Sequence, residues 1–192
     1  QREARTDRRR PESMSFLTNL RADRLIADVK AAGDGADADP NKSLEKLGRL
    51  GPSAIPRIID ALANADRQET AGFVNVLASL IDNKSLPIAI AGLSDGNQRA
   101  SSAIVAALSA APGYSPQLLL PLLDDPKMPR GPIVRVLGAE KARLNARDLL
   151  TRAYNQEPTE KAALFRIISE IADVSLVPEL VSRLEGKDPI AR

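Results

Sequence analysis

The sequence predicts an all-α protein built as an α-solenoid, an array of antiparallel helix pairs that follows an N-terminal helical cap. One observation is a recurring segment, typified by residues 50–66, in which a Gly-Pro break, a second proline and an apolar stripe precede a polar turn. A second is that each unit, roughly 30 residues long, carries two helical apolar patterns. A repeat of this length with two helices is typical of an α-solenoid. The second proline recurs at Pro56, Pro87, Pro116 and Pro178, and Arg147 stands at the equivalent position of the fourth unit. The spacings between these positions are 31, 29, 31 and 31 residues.

The composition excludes several kinds of chemistry. Of the 192 residues 43% are hydrophobic but only 3% are aromatic, so the core is expected to consist of Leu, Ile, Val and Ala. The chain has no cysteine and no histidine, which removes disulfides, thiolate nucleophiles and the commonest general base and transition-metal ligand. With 27 basic and 25 acidic residues, net charge does not require a nucleic-acid partner. We expect no metal and no cofactor.

Residues 1–13 are predicted to be a basic leader or linker, because they carry five arginines, three acidic residues and almost nothing apolar. A solvated segment is the simplest interpretation. The alternative is a membrane-proximal or phosphate-contacting segment, since arginines beside a membrane helix anchor it on the cytoplasmic side. A first residue other than methionine, Gln1, favours a fragment of a longer protein.

Residues 14–40 are predicted to form the helical cap and an acidic loop. Apolar residues between Phe16 and Val29 recur at three- to five-residue steps, and Gly33 ends the helix. The following stretch, 34–45, has the length of a calcium-binding loop. Alanines stand where two oxygen ligands are needed, however, so no calcium site is expected.

The repeat array is predicted over residues 41–192, each repeat consisting of helix A, a turn, helix B and a polar loop. A proline in the first turn of helix B is tolerated because its missing amide hydrogen would have had no partner there. One repeat buries too little apolar surface to offset the entropy of about 30 ordered residues, so neighbours must stack. Helix B of the third repeat is expected to bury Leu118, Leu119, Leu122 and Leu123. The predicted repeats are 41–66, 67–96, 97–126, 127–157 and 158–186, with the start of a sixth at 187–192.

Three segments resemble the HEAT-repeat family, in particular its bacterial form first described in phycobilin lyases. They are EIADVSLVPELVSRLEGKDPIAR (170–192), LGRLGPSAIPRIIDALANAD (47–66) and SLPIAIAGLSDGNQR (85–99). The resemblance covers 41–192 and departs from the family pattern at Arg147, which replaces the proline. It implies a right-handed superhelix of antiparallel helix pairs, with the B helices on the concave side and protein binding as the usual role.

The concave surface is where we expect a partner to bind. Positions one, four and five residues after the proline point away from the core of each repeat. In the second and third repeats several of them are apolar and predict an exposed strip flanked by charge, which suits an amphipathic helix or peptide. The alternative is that Ile88 and Leu120 pack inside the solenoid. The predicted partner-binding residues are Ile88, Ala91, Gln117, Leu120, Arg57, Asp60, Arg152, Glu179 and Arg183.

The expected function is therefore that of a non-catalytic, cytoplasmic protein-interaction scaffold. The sequence has no Gly-rich phosphate loop of the G-x-x-x-x-G-K-[ST] type. One alternative is a regulatory domain of a larger membrane-tethered protein, held at the inner face of a membrane by the N-terminal arginines. Another is a lyase-type enzyme acting on a bound chromophore, for which Tyr114 and Tyr154 would be the available tyrosines. A DNA glycosylase of similar fold would need tryptophan, which the chain lacks.

Overall fold

The computed structural model describes residues 10–33, 39–94 and 96–184, and the side chains of residues 17–32, 39–94 and 96–181. All regular structure in these ranges is helical, and an isolated parallel bridge joins Asp82 to Gly113. The predicted all-α class is confirmed. Most of the basic leader, the start of a sixth repeat and the side chain of Arg183 lie outside the described residues.

Ten α-helices and five 3-10 segments follow one another along the described chain. Each predicted repeat contains a longer first helix and a shorter second helical segment. The first helix begins at Arg10, inside the predicted leader, which is expected to extend to Ser13. The α-helices are α1 (Arg10–Gly33), α2 (Pro40–Gly48), α3 (Ile55–Leu62), α4 (Arg67–Leu80), α5 (Leu86–Ala91), α6 (Gln98–Ala110), α7 (Arg130–Ala139), α8 (Ala146–Ala153), α9 (Pro158–Ile171) and α10 (Val177–Leu184). The 3-10 segments are Pro52–Ala54, Gly92–Ser94, Pro116–Asp124, Lys141–Arg143 and Val174–Leu176.

Polar side chains fix the beginnings of several helices. Asp39 accepts a hydrogen bond from the Asn41 amide at 3.1 Å and so caps α2. A reciprocal capping box starts α4: Asp66 accepts from the Glu69 amide at 2.8 Å, and Glu69 accepts from the Asp66 amide at 3.0 Å. Such bonds satisfy amide groups that have no partner inside the helix, so the boundaries follow directly from residue type.

The chain divides into two compact units, unit 1 (residues 1–113) and unit 2 (residues 114–192). In unit 1, α2 packs on α4 and α4 packs on α6, while α3 contacts α5 and α1 contacts both α2 and α3. The core of unit 1 is aliphatic around one phenylalanine. Its fully buried side chains include Ile55, Ile58, Leu62, Phe73, Leu77 and Ile104.

Unit 2 repeats the same kind of packing. Helix α7 packs on α9, α8 packs on α9, and the segment Pro116–Asp124 contacts both α7 and α8. The core of unit 2 is again mainly aliphatic, and its buried side chains include Leu119, Leu123, Leu137, Leu149 and Leu164.

The segment Pro116–Asp124 departs from the predicted α-helix, because all nine residues form a 3-10 helix. In an α-helix Pro121 would lack its hydrogen bond and clash with the carbonyl group four residues earlier. A 3-10 helix has three residues per turn, so every third residue shares a face. Leu118, Pro121 and Asp124 are accordingly all exposed, whereas Leu119, Leu120 and Leu123 are buried.

Two predictions for this segment are therefore wrong. Leu120, predicted on the exposed strip, is only 4% exposed, which agrees with the alternative that it packs inside, and Leu118, predicted in the core, is 45% exposed. Both errors have the same cause, since the prediction assumed 3.6 residues per turn where the chain has three. Of the remaining predicted core leucines, Leu119 and Leu123 are buried and Leu122 is half-buried.

Candidate protein-binding surfaces

One candidate surface lies on unit 1, on the outer side of α5. Pro87, Ile88 and Ala91 are all exposed there and form the α5 patch. Ile88 is 39% exposed, a large fraction for an aliphatic side chain on a helix whose opposite side is buried. Helix α3 packs beside α5 and carries the predicted Asp60, which is also exposed. The structure therefore places Ile88, Ala91 and Asp60 on the surface of one unit.

The core holds α5 in a fixed orientation. Leu86, Ala89 and Ile90 are buried on its inner side. After the helix, Gly92 approaches α3 and α6 so closely that a Cβ atom there would lie 2.9 Å from side-chain carbons of both Ile59 and Ile104. This close approach leaves α5 no room to turn inward, so Ile88 remains at the surface.

A polar turn fixes the start of α5. Asp82 accepts hydrogen bonds from the amides of Ser85 at 2.7 Å and Lys84 at 2.9 Å. The hydrogen bonds from Ser85 lower the pKa of Asp82. The buried hydroxyl of Ser85 lies 2.9 Å from the Leu80 carbonyl oxygen and accepts a hydrogen bond from the Asp82 amide at 2.8 Å. The turn therefore ties α5 to the end of α4.

Four of the charged residues predicted at the site take part in ion pairs: Arg57, Asp60, Arg152 and Glu179. In unit 1, the Arg57 Nε lies 3.6 Å from Asp23 Oδ1 of α1, and its Nη1 lies 3.7 Å from Asp60 Oδ2. In unit 2, Arg152 of α8 pairs with Asp124. The Glu179 Oε2 of α10 lies 3.4 Å from the Arg147 Nε of α8. Arg57, Arg152 and Glu179 are partly exposed, yet they also connect adjacent helical elements, whereas the Arg57–Asp60 pair lies within α3.

The sequence contains a signal for these ion pairs that the prediction missed. In unit 2 the partners are separated by about one repeat: Asp124 and Arg152 by 28 residues, Arg147 and Glu179 by 32. Opposite charges that lie one repeat apart in the sequence come together wherever adjacent repeats stack in register. A search for such pairs would have predicted that Arg152 and Glu179 contact their neighbours.

Gln117 is exposed, and its amide group also makes a bond within unit 2. Its Nε2 donates to the Arg143 carbonyl oxygen at 2.6 Å. Nearby, the exposed Leu118 and Pro121 provide an apolar surface on the same 3-10 segment. In unit 2 the segment therefore presents Leu118 and not the predicted Leu120.

A buried polar cluster in unit 2 bears on the lyase alternative. The Tyr114 side chain is buried, and the Arg143 guanidinium carbon lies 5.8 Å from the centre of its ring. Arg143 also donates to the Tyr114 carbonyl oxygen and, at 2.8 Å, to the buried carboxylate of Glu140. Burial raises the pKa of Tyr114 above the ordinary value for a tyrosine, so its hydroxyl stays protonated even well above neutral pH. This geometry suits a structural role for the cluster.

The other tyrosine also packs against a neighbour, since the rings of Tyr154 and Phe165 meet edge to face with their centres 5.3 Å apart. Among the described residues, no three acidic side chains come close enough together to hold a metal ion.

Across the described residues, no helix has the length and apolar character needed to cross a bilayer. Comparison of the chain with protein-family models, with curated proteins and with solved structures found no match.

Proposed function

We propose that the chain is a HEAT-like α-solenoid that acts as a non-catalytic scaffold and binds a protein partner through the α5 patch. Support for a stacked array comes from the packing order within each unit. Helices α2, α4 and α6, the first helices of successive predicted repeats, contact one another in sequence, and α7 contacts α9 in the same way. Nearest-neighbour packing of equivalent helices is how such arrays gain stability.

The observation that carries the binding proposal is the exposure of Ile88 on a helix that the core holds in place. A fixed apolar side chain loses little conformational entropy on binding, so burying it under a partner is favourable. The neighbouring Pro87 and Ala91 are small and leave a partner side chain access to Ile88. Asp60, exposed on the neighbouring α3, adds a charge to the surface of the same unit, and charged residues are common at the rim of protein interfaces.

Ile88→Arg is expected to weaken partner binding at least about tenfold, because it places a charge at the centre of the patch. The melting temperature should stay near that of the wild type, since Ile88 is partly exposed. A partner captured by the wild-type chain and identified by mass spectrometry would be purified, and its Kd measured for wild type and variant by calorimetry.

Ala27→Arg is a matched control, since it adds the same charge at an exposed position of α1 in the same unit. Equal affinities for the Ile88→Arg and Ala27→Arg variants would contradict binding at the α5 patch. Capture of a chromophore together with turnover of that chromophore would instead support the lyase alternative.

The outer face of α1 favours a second candidate function, that of a membrane-proximal regulatory domain. Leu17 and Leu20 are each 57% exposed, on the side of the helix opposite the buried Ala22 and Ile26. The exposed Arg21 lies beside them on the same face. Exposed leucines beside arginine suit the surface of an anionic bilayer.

The double variant Leu17→Ser, Leu20→Ser tests this second candidate. In co-sedimentation with vesicles containing phosphatidylglycerol, the wild-type chain should bind and the variant should bind several-fold less. Vesicles of phosphatidylcholine alone serve as the reference. If wild type and variant bind anionic vesicles equally, α1 is not the contact.

A further inference from the structure

We propose that the groove between α2 and α4 on unit 1 is a second docking site, which accepts a basic amphipathic segment of a partner protein. The groove has a volume of about 620 Å³ and is lined by the end of α1, by α2 and by one side of α4. It is formed by the first helices of the repeats and shares no lining residue with the α5 patch. The inference is therefore independent of the proposed function at Ile88.

The lining of the groove includes an apolar strip. Val29, Leu44 and Val76 line it from α1, α2 and α4 respectively, together with Gly72 of α4. A Cβ atom at Gly72 would lie 2.6 Å from Leu44 Cδ1, so the missing side chain is what allows Leu44 to rest against α4. This contact gives apolar side chains of a partner a surface to pack on.

The polar residues that line the groove are acidic or uncharged. Three carboxylates line it, those of Glu45, Asp66 and Glu69, and no lysine or arginine does among the residues that the structure describes. Arg49 pairs with one oxygen of Glu45 from outside the lining. The capping box of α4 uses one oxygen each of Asp66 and Glu69. The second oxygen of each carboxylate can accept a hydrogen bond from a cation on a partner.

The neighbouring groove on the other side of α4 provides a comparison. It lies between α4 and α6, has a volume of about 610 Å³ and includes the apolar Val74, Ala103 and Ala106 in its lining. Its charged residues are Arg67, Arg99 and Asp66, so its balance is positive. The two grooves match in size and differ in charge, and it is the charge that selects a basic partner for the α2–α4 groove.

The proposed occupant therefore has apolar side chains on one face and lysines or arginines beside them. The apolar face would cover the half-buried Leu44, and the basic side chains would reach the carboxylates at the rim. Part of the affinity would be lost at high salt, because the attraction between exposed charges is screened.

The test uses two synthetic peptides with the full chain: an amphipathic helix of leucine and lysine, and its counterpart with glutamate for lysine. The leucine–lysine peptide should bind, and the amide NMR signals of Asn41 and Asn75, which line the groove, should shift. The leucine–glutamate peptide should bind at least tenfold more weakly.

Two variants at Gly48 form the matched pair for this test. A Cβ atom there meets only Val76 Cγ1, at 3.9 Å, so a methyl group can be added without strain. Gly48→Phe should fill the groove and weaken binding of the leucine–lysine peptide at least tenfold. Gly48→Ala, which adds one methyl group at the same position, should leave the affinity nearly unchanged.

Charge is tested separately by Asn75→Lys, which should weaken binding several-fold, while Ala162→Lys on α9 should not. The proposal is overturned if Gly48→Phe binds the leucine–lysine peptide like the wild type, if both peptides bind equally, or if the shifts map to the α4–α6 groove. Ile88→Arg should leave peptide binding unchanged, so this proposal and the proposed function at the α5 patch can fail independently.

Discussion

Replacement of Leu120 by alanine is expected to lower the free energy of unfolding by about 2 to 5 kcal/mol, whereas Leu118→Ala should cost less than about 1 kcal/mol. Both leucines belong to the 3-10 segment Pro116–Asp124 and lie two residues apart. Leu120 is 4% exposed and Leu118 is 45% exposed. Removing the buried side chain leaves a cavity in addition to the lost transfer free energy, and removing the exposed one does not.

Urea unfolding followed by far-UV circular dichroism measures both costs, and each variant serves as the control for the other. The m-values should match that of the wild type, which would show that the amount of surface exposed on unfolding has not changed. A larger cost for Leu118→Ala than for Leu120→Ala would contradict the 3-10 register. It would instead favour the α-helical phase that the sequence pattern first indicated.

The positions of the helices could be predicted from the sequence because their boundaries depend on local chemistry. Pro56 and Pro87 lie in the first turns of α3 and α5, as their missing amide hydrogens predict. Asp66 and Glu69 form the capping box that starts α4. Each of these signals involves residues within one turn of each other, so no knowledge of tertiary packing is needed to interpret them.

The side that each helix exposes was harder to predict, and Leu120 shows why. The prediction assigns the exposed side of this segment by counting from Pro116 with an α-helical period. Pro121, five residues later, prevents that period. Counting from the same proline was adequate in the second repeat, where the segment after Pro87 is α-helical and Ile88 is exposed. A single internal proline thus determines whether the predicted surface is correct.

The role of the charged side chains required tertiary information. Arg57 and Arg152 lie at positions that the helical phase predicts to be outward-facing, and both are partly exposed. Their guanidinium groups nevertheless pair with Asp23 and Asp124 on neighbouring elements. A long flexible side chain at the surface can turn toward an adjacent helix, so its sequence position alone does not show whether it is available to a partner.

Gly113→Ala is expected to destabilise the chain by about 3 kcal/mol, because the new methyl group would collide with the backbone of unit 1. An ideal Cβ atom at this position would lie 2.5 Å from the Ile81 carbonyl oxygen and 3.6 Å from the Asp82 Cα. Gly113 also pairs with Asp82 in the isolated parallel bridge. Flexible side chains can turn aside from such a contact, but here backbone atoms must move.

The displacement would extend to α5, since Asp82 begins the turn that holds the start of that helix through Ser85. We therefore expect Gly113→Ala to lower the melting temperature and also to weaken partner binding at the α5 patch. Both effects should appear in the same protein, measured by thermal unfolding and by calorimetry with the captured partner.

Gly48→Ala is the control, because it makes the same substitution where space is available. It should raise the free energy of unfolding by about 0.5 kcal/mol, since alanine loses less conformational entropy in a helix than glycine. A Gly113→Ala variant as stable as Gly48→Ala would show that the backbone at residues 81–82 can shift freely. The close approach of Gly113 would then not be what holds the turn before α5 in place, and the fixed orientation of Ile88 would depend on the buried side of α5 alone.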